Sequence, residues 1–257
     1  PAALKRTLIR EIEADAKAHG DDRRTLVQEE KRAVAEIKVV DEPVTVVVSL
    51  KGWVRALKGH EVDPATLAFK AGDGLYGSFA CRSVDPLLVF GSAAGGSARV
   101  YSVAVASLPG GRGDGQPITS LIELETGTQP AHYYAGANET MLLLANTGGF
   151  GLLARVADMM ARNRSGRSFL SVDDAQQVLP PAVVAVGHGQ VACLSLSARL
   201  LVFALDELKH QPNGGRGLTL MDVDDKDPLV SVASFGEQLK LLGQGRGQSI
   251  RNLVGGG

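Results

Sequence analysis

The spacing of hydrophobic residues changes near residue 43, which divides the chain into a helical start and a β-rich remainder. Apolar residues recur at every fourth position from Leu4 to Ala16 among charged neighbours, which predicts an amphipathic helix that ends at Gly20. A charged stretch containing Pro43 follows. We therefore expect residues 1–36 to form a terminal helix and linker, and residues 37–257 to form a separate β domain.

Short apolar runs joined by tight turns fill the rest of the chain and recur as strand–turn–strand pairs. The four pairs are 44–50 with 52–57, 87–93 with 97–103, 141–147 with 150–156, and 191–197 with 199–205. A glycine-centred loop and a further β run follow each pair, as at 118–124 and 218–223, and a fifth pair begins at 239–243. The period of about 40 to 55 residues is typical of propeller blades. We predict an all-β fold of about five blades, the last one incomplete.

Composition limits the chemistry that this fold could support. The net charge of −1 over 257 residues means that nucleic-acid binding would depend on local basic patches. Cys81 and Cys193 lie in separate apolar runs and are predicted to be buried free thiols in a reducing cytoplasm. The five histidines lack the spacing of metal ligands. Residues 222–227 lack the Gly and Glu of a calcium loop and are predicted to form a solvated turn.

Several segments resemble a known family. Residues 49–63 read SLKGWVRALKGHEVD and are followed by the turn KAGD at 70–73. Both resemble the C-terminal DNA-wrapping domain of the A-subunit family of bacterial topoisomerase IV. Further matching segments are 86–90, 136–145 and 161–167, and residues 8–25 resemble the last helix of that family's breakage-reunion core. The resemblance implies a β-pinwheel, in which neighbouring blades exchange strands. Because the chain starts at Pro1 within this helix, we expect it to be a fragment of a longer protein.

The same resemblance implies a function and partners. The domain would bind and bend duplex DNA through a basic outer rim, presenting the transported segment for decatenation and supercoil relaxation in chromosome segregation. The whole enzyme would be an ATP-dependent type IIA topoisomerase, which also contains the ATPase (B-type) subunits of topoisomerase IV and a second copy of the A-type chain. It would act in the bacterial cytoplasm on the nucleoid, without a membrane. No cofactor is expected in this fragment, since ATP and Mg²⁺ would bind elsewhere in the enzyme.

Two departures from related patterns refine this interpretation. The A-subunit family of DNA gyrase carries a Gln-Arg-Arg-Gly-Gly-Lys-Gly box in its first blade, whereas the loop here holds only residues 70–74. This difference favours topoisomerase IV and weak wrapping, with gyrase A kept as an alternative. The family's catalytic Tyr follows an Arg, but Tyr76, Tyr101, Tyr133 and Tyr134 follow Leu75, Val100, His132 and Tyr133. The nucleophile is therefore expected to be missing, and the fragment inactive alone.

Basic residues in the predicted loops are the candidate DNA contacts, because guanidinium forks suit phosphate oxygens. Arg162, Arg164 and Arg167 cluster around Gly166, and Arg112 and Arg216 are expected at equivalent repeat positions. Arg55 is expected on a solvated strand face beside a core Trp53. The remaining candidates are Lys58, Lys70, Arg99 and Lys209. The alternative for each is a solvated turn, and for the whole chain a propeller-type protein-interaction module, which the near-neutral charge favours.

Overall fold

The computed structural model describes residues 2–20, 40–92, 96–111, 113–244 and 250–255. Two compact units divide the chain, Pro1–Lys38 and Val39–Gly257. The first contains the helix α1 (Ala2–His19), whose apolar side chains from Leu4 to Ile12 are exposed. The Gly20 amide donates to the Ala16 carbonyl (2.9 Å) at its end. The helix and its terminal glycine are thus confirmed, whereas its origin in a breakage-reunion core stays a prediction.

The described part of the second unit consists of strands and short 3₁₀ turns. The strands are β1 Pro43–Ser49, β2 Trp53–Lys58, β3 Leu75–Arg82, β4 Pro86–Gly91, β5 Ser97–Ala104, β6 Gln116–Pro117, β7 Pro130–Ala135, β8 Met141–Ala145, β9 Phe150–Arg155, β10 Arg167–Ser171, β11 Ala182–Val184, β12 Gln190–Ser195, β13 Leu200–Ala204, β14 Leu218–Thr219, β15 Leu229–Phe235, β16 Leu239–Gln244 and β17 Ile250–Gly255. The 3₁₀ turns are Pro64–Thr66, Val105–Ser107, Ile118–Ser120, Val156–Met159 and Leu205–Glu207.

One rule builds the successive antiparallel sheets. The hairpins β1–β2, β4–β5, β8–β9 and β12–β13 each lie at the centre or edge of one sheet, and β16–β17 forms a fifth hairpin. In each of the first four sheets, a later strand pairs with the first strand of the hairpin: β3 with β1, β7 with β4, β11 with β8 and β15 with β12. The four predicted pairs and the start of a fifth are therefore confirmed.

Neighbouring sheets exchange strands. The short strands β6, β10 and β14 each follow the hairpin of one sheet but pair with β2, β5 and β9 of the preceding sheet. This exchange confirms the β-pinwheel. The predicted strand over 118–124 is wrong, because Ile118–Ser120 forms a 3₁₀ turn. The buried side chains of Ile118 and Ile122 are four positions apart, which is a helical spacing that a run of apolar letters conceals. The predicted strand over 218–223 shortens to β14.

Three hydrophobic cores fill the spaces between consecutive sheets, and the inner strands serve two of them at once. In β4, Leu87 and Val89 pack in core 1 against the first sheet, whereas Leu88 and Phe90 pack in core 2 against the third. Residues of β8 alternate in the same way between core 2 and core 3. Successive side chains of these strands therefore point into different cores. Because both faces are buried, the strand sequences read as continuous apolar runs.

The two cysteines lie in this interior, as predicted. Cys81 belongs to core 1 and Cys193 to core 3. Burial raises the pKa of each thiol to about 11. The thiols are therefore protonated at neutral pH and act as small apolar groups in the packing.

Three crossing loops carry the chain from a hairpin back to the preceding sheet: crossing loop 1 (108–115), crossing loop 2 (160–166) and crossing loop 3 (208–217). Each ends in a glycine where the backbones come closest. At Gly217, φ is +82°, and a Cβ would lie 2.0 Å from the Gly151 carbonyl oxygen. At Gly166, φ is +63°, and a Cβ would lie 2.6 Å from the Val100 carbonyl oxygen. Only glycine allows this approach.

Candidate nucleic-acid interface

Lys70 and Lys58 lie on the surface of the first sheet. The Nζ of Lys70 is 3.3 Å from the ring centroid of Trp53, which places an exposed ammonium on an aromatic face. Trp53 is half-buried rather than part of a core. The Lys58 side chain is 90% exposed, and its Nζ lies 3.6 Å from Glu42. Both lysines are accessible to an anionic ligand, but the charge of Lys58 is partly offset.

Arg55 is not on a solvated face, and that prediction is wrong. It is 6% exposed, and its guanidinium donates to the carbonyl oxygens of Ala68 (3.0 Å) and Gly113. The Phe69 ring lies 5.6 Å away. The loop after β2 folds back over this strand and covers the side chain. In this structure Arg55 joins that loop to crossing loop 1, so its donors are directed at protein carbonyls.

Crossing loop 2 brings together the predicted arginine cluster. Arg162 is exposed. Arg164 is also exposed, and its Nε donates to the Leu121 carbonyl (2.8 Å). Arg167 donates to the Asp158 backbone carbonyl (2.8 Å). These carbonyl acceptors are neutral, so the hydrogen bonds orient Arg164 and Arg167 without cancelling their charge.

Arg99 approaches the same loop from β5. Its guanidinium donates to the carbonyls of Ser165 (3.0 Å) and Gly166 (3.1 Å), which lie 66 and 67 residues later in the sequence. Glu125 lies 3.9 Å from Arg99. Within the described residues, neither Arg162 nor Arg164 forms an ion pair with a carboxylate. Four arginines thus meet at crossing loop 2, and among the described residues only Arg99 has a carboxylate within 4 Å, although the backbones of Asp158 and Glu123 also contact the cluster. This arrangement makes the loop a candidate phosphate-binding surface.

Crossing loop 3 has a different electrostatic character. Lys209 is exposed. The Nη2 of Arg216 forms an ion pair with Asp173 at 2.7 Å, and its guanidinium lies 4.0 Å from the Phe150 ring centroid. Arg216 is accessible, with 51% of its side chain exposed, but a carboxylate offsets its charge.

Arg112 lies outside the described residues. The expectation that Arg112 and Arg216 occupy equivalent repeat positions therefore stays a prediction.

Sequence reasoning missed a recurring carboxylate clasp at the hairpin turns. Asp73 accepts hydrogen bonds from the Ser49 hydroxyl (2.7 Å) and from the amides of Gly74 (2.8 Å) and Lys51 (3.1 Å). Burial alone would raise the pKa of Asp73, but these hydrogen bonds outweigh it and lower the pKa. The Ser49 hydroxyl also accepts from the Trp53 amide (3.1 Å). In the first and fourth hairpins, the signal available in the sequence was a Ser before the turn and an Asp two residues before the next strand.

The same clasp closes the fourth hairpin, within the segment predicted to be a solvated turn. Asp222, Asp224 and Asp225 are exposed, but Asp227 is not a free surface carboxylate. It accepts from the Ser197 amide (2.6 Å) and from Nε of Arg199 (2.7 Å). The Ser197 amide, then the Ser197, Arg199 and Ser195 side chains, lower the pKa of Asp227. The clasp therefore also offsets the charge of Arg199.

A half-buried histidine joins two sheets and the segment that precedes β11. His132 in β7 has one ring nitrogen 3.2 Å from the hydroxyl of Tyr76 in β3 and the other 3.0 Å from the Val178 carbonyl. A neutral ring satisfies both partners, accepting from Tyr76 and donating to Val178. Burial lowers the pKa of His132. No group of three or more potential metal ligands occurs among the described residues.

Comparisons with known proteins identify the family. No family model matches the chain. Over 252 residues the chain is 36% identical to the A-type subunit of DNA topoisomerase 4 from Neisseria gonorrhoeae, covering 94% of this chain and 32% of that protein. The fold of this chain is similar to that of the E. coli ParC C-terminal domain, with a TM-score of 0.72 and 26% identity over 83% of this chain and 86% of that one. The chain belongs to the A-subunit family of topoisomerase IV.

The extent of these matches limits what they show. The chain spans about a third of the length of the curated topoisomerase IV subunits that it matches. The C-terminal domain of DNA gyrase A is also similar, with a TM-score of 0.56 and 19% identity over 78% of this chain and 68% of that one, which shows a shared fold alone. In the described residues, no helix has the length and apolar character needed to cross a bilayer.

Proposed function

We propose that this chain binds duplex DNA through phosphate contacts at crossing loop 2 and bends it as part of a type IIA topoisomerase. The observation that carries the proposal is the convergence of Arg99, Arg162, Arg164 and Arg167 at one loop, where among the described residues only Arg99 has a carboxylate within 4 Å. Membership of the A-subunit family of topoisomerase IV supports it. The contacts would read DNA shape and flexibility rather than base edges, because they are directed at phosphates.

The proposed setting is a bacterial cytoplasm, with the chain acting on the nucleoid within the larger enzyme. The ATPase (B-type) subunits of topoisomerase IV and a second A-type chain would be its protein partners. ATP and Mg²⁺ would bind elsewhere, and this chain would hold no cofactor. Its role would be to present the transported DNA segment and set the preference for decatenation and supercoil relaxation.

We also propose that the chain performs no strand cleavage alone. No Tyr follows an Arg, and the environments of the tyrosines support the same view. Tyr101 and Tyr133 are almost fully buried, and burial raises the pKa of Tyr133 to about 12. Burial also raises the pKa of Tyr76 and of Tyr134. A hydroxyl that is buried and hard to ionise cannot readily attack a phosphodiester.

A salt-dependent titration on linear duplex tests the binding proposal. Phosphate contacts by Arg162, Arg164 and Arg167, which have no carboxylate within 4 Å among the described residues, predict a slope of log K against log salt of about −2.7. This slope corresponds to about a fortyfold loss of affinity between 50 and 200 mM salt. Binding without this dependence, or no binding at low salt, would reject the proposal. A protein-interaction module is the rival, supported by the net charge of −1.

A topology assay separates the two topoisomerase families. Because residues 70–74 lack the gyrase box, the chain is expected to bend DNA with little wrapping. Plasmid that is nicked and religated in its presence should show at most a small change in linking number. A large positive change for each bound molecule would instead favour gyrase A.

A further inference from the structure

We propose that Asp173 ends the DNA path at crossing loop 3 by neutralising Arg216, so that this carboxylate limits how far duplex DNA is bent around the domain. The inference rests on the proposed function and adds to it a residue that opposes binding. Crossing loops 2 and 3 occupy corresponding places in the fold, but Arg164 in the first is bonded to a carbonyl oxygen and Arg216 in the second to a carboxylate.

Arg216 is built like a phosphate-binding residue. Its guanidinium stacks on Phe150 at 4.0 Å, and 51% of the side chain is exposed. The loop beneath it is fixed, because the Gly215 amide donates to the Phe169 carbonyl (2.8 Å) and Leu218 pairs with Gly151 in β9. An arginine held in place on an aromatic ring loses little side-chain entropy when it binds an anion.

Asp173 occupies the position that a phosphate would need. Its Oδ2 accepts from Nη2 of Arg216 at 2.7 Å, and its side chain is 54% exposed. Duplex DNA would have to displace or approach a like-charged carboxylate to reach the guanidinium. The contrast with crossing loop 2 is direct, since Arg164 is oriented there by a neutral carbonyl of Leu121 rather than by an acid.

The surface beyond Asp173 is also unfavourable for DNA. The groove between the hairpin turn of the third sheet and the entry to β15 is lined by four carboxylates, namely Asp174, Asp222, Asp224 and Asp225. Phosphates that passed Arg216 would next meet this negative surface. The change from arginines without an ion pair to a paired arginine, followed by carboxylates that form no ion pair among the described residues, therefore marks one end of the path.

Asp173→Asn tests the proposal by removing the charge while keeping the side-chain shape. Exposed ion pairs are weak, and their net strength corresponds to about a two- to fivefold change in an equilibrium constant. The variant is expected to bind linear duplex about two- to fivefold more tightly at low salt, with the slope steeper by about one unit because one more phosphate is contacted. Asp174→Asn is the matched control. It removes the same charge from the adjacent residue and should leave the slope unchanged.

Arg216→Ala completes the test, using the full 257-residue chain throughout. Alone it should leave affinity and slope unchanged, and combined with Asp173→Asn it should abolish the gain. Circular dichroism melts establish that each variant is folded. The inference is overturned if Arg216→Ala alone weakens binding and reduces the slope, if Asp173→Asn gives no gain, or if Asp174→Asn gives an equal one. Failure of the unmodified chain to bind duplex at low salt would reject the proposed function itself, and this inference with it.

Discussion

Gly217→Ala should destabilise the fold by more than the strain of an unfavourable φ angle, because the added Cβ would also push the exchanged strand β14 away from β9. Any non-glycine residue at φ +82° costs roughly 1–2 kcal/mol. The added Cβ would also lie 2.0 Å from the oxygen and 2.4 Å from the carbon of the Gly151 carbonyl. These are backbone atoms of β9 that cannot rotate away, so β14 must move off its partner strand.

The expected magnitude follows from what that movement disrupts. Two residue pairs join β14 to β9, and the Leu220 amide donates to the Gly149 carbonyl (2.7 Å). Losing about two hydrogen bonds costs about 1 kcal/mol each, and partial exposure of the buried Leu220 adds about 1 kcal/mol. Together with the conformational cost, the free energy of unfolding should fall by about 4–5 kcal/mol in total.

Gly187→Ala is the matched control, because φ there is +87° and, apart from its two chain neighbours, no described residue has an atom within 4 Å of an added Cβ. It should show the conformational cost alone, roughly 1–2 kcal/mol. Urea denaturation followed by circular dichroism measures both variants. The difference should also appear as a Tm lower by about 6–12 °C for Gly217→Ala. Equal destabilisation of the two variants would refute the claim that backbone contact at the exchanged strand determines the cost.

The remaining predictions concern the arginine cluster, the half-buried His132 and the clasp. Arg162→Ala should weaken duplex binding and reduce the salt slope by about one unit without changing Tm. Arg164→Ala should affect binding in the same way and should also lower Tm, because its bonds to Ser120 and Leu121 join two segments. Equal melts for the two variants would contradict this. Stability should fall as pH is lowered below about 6.5, since the unfolded chain then takes up a proton that half-buried His132, whose pKa is lowered, resists. His132→Gln should reduce that dependence in pH-dependent urea titrations, and an unchanged profile would assign it elsewhere. Asp227→Ala should lower Tm, whereas the exposed control Asp225→Ala should not; equal Tm values would show that the clasp adds no stability.

Local pattern was sufficient for the hairpins but not for the contacts between them. Short apolar runs separated by turn residues predicted all four strand pairs, because each pair forms between residues that are close in sequence. The burial of Arg55 depends on Ala68 and Gly113, which no spacing rule connects to it. The 3₁₀ turn at Ile118 has the same cause, since a shared core rather than local alternation determines its shape.

The candidate interface was predicted in composition but not in charge balance. The cluster around Arg164 was visible as neighbouring letters, whereas the approach of Arg99 required the pairing of β10 with β5. The neutralisation of Arg216 by Asp173 likewise spans 43 residues of sequence. Whether a basic residue is available to a ligand depends on such distant partners, so a list of basic residues overestimates the binding surface.

Because of the exchanged strands, a cut anywhere within the first four sheets leaves at least one of them without a strand. A chain that stopped after Val156–Met159 would contain every strand of the first sheet, but would leave β5 without β10 and β9 without β14. Each truncation would thus expose the edge of a sheet that lies earlier in the chain, and an exposed edge invites pairing with another molecule. Versions shortened within the first four sheets should therefore self-associate before they unfold, because each such deletion removes a strand that a later repeat contributes to an earlier sheet.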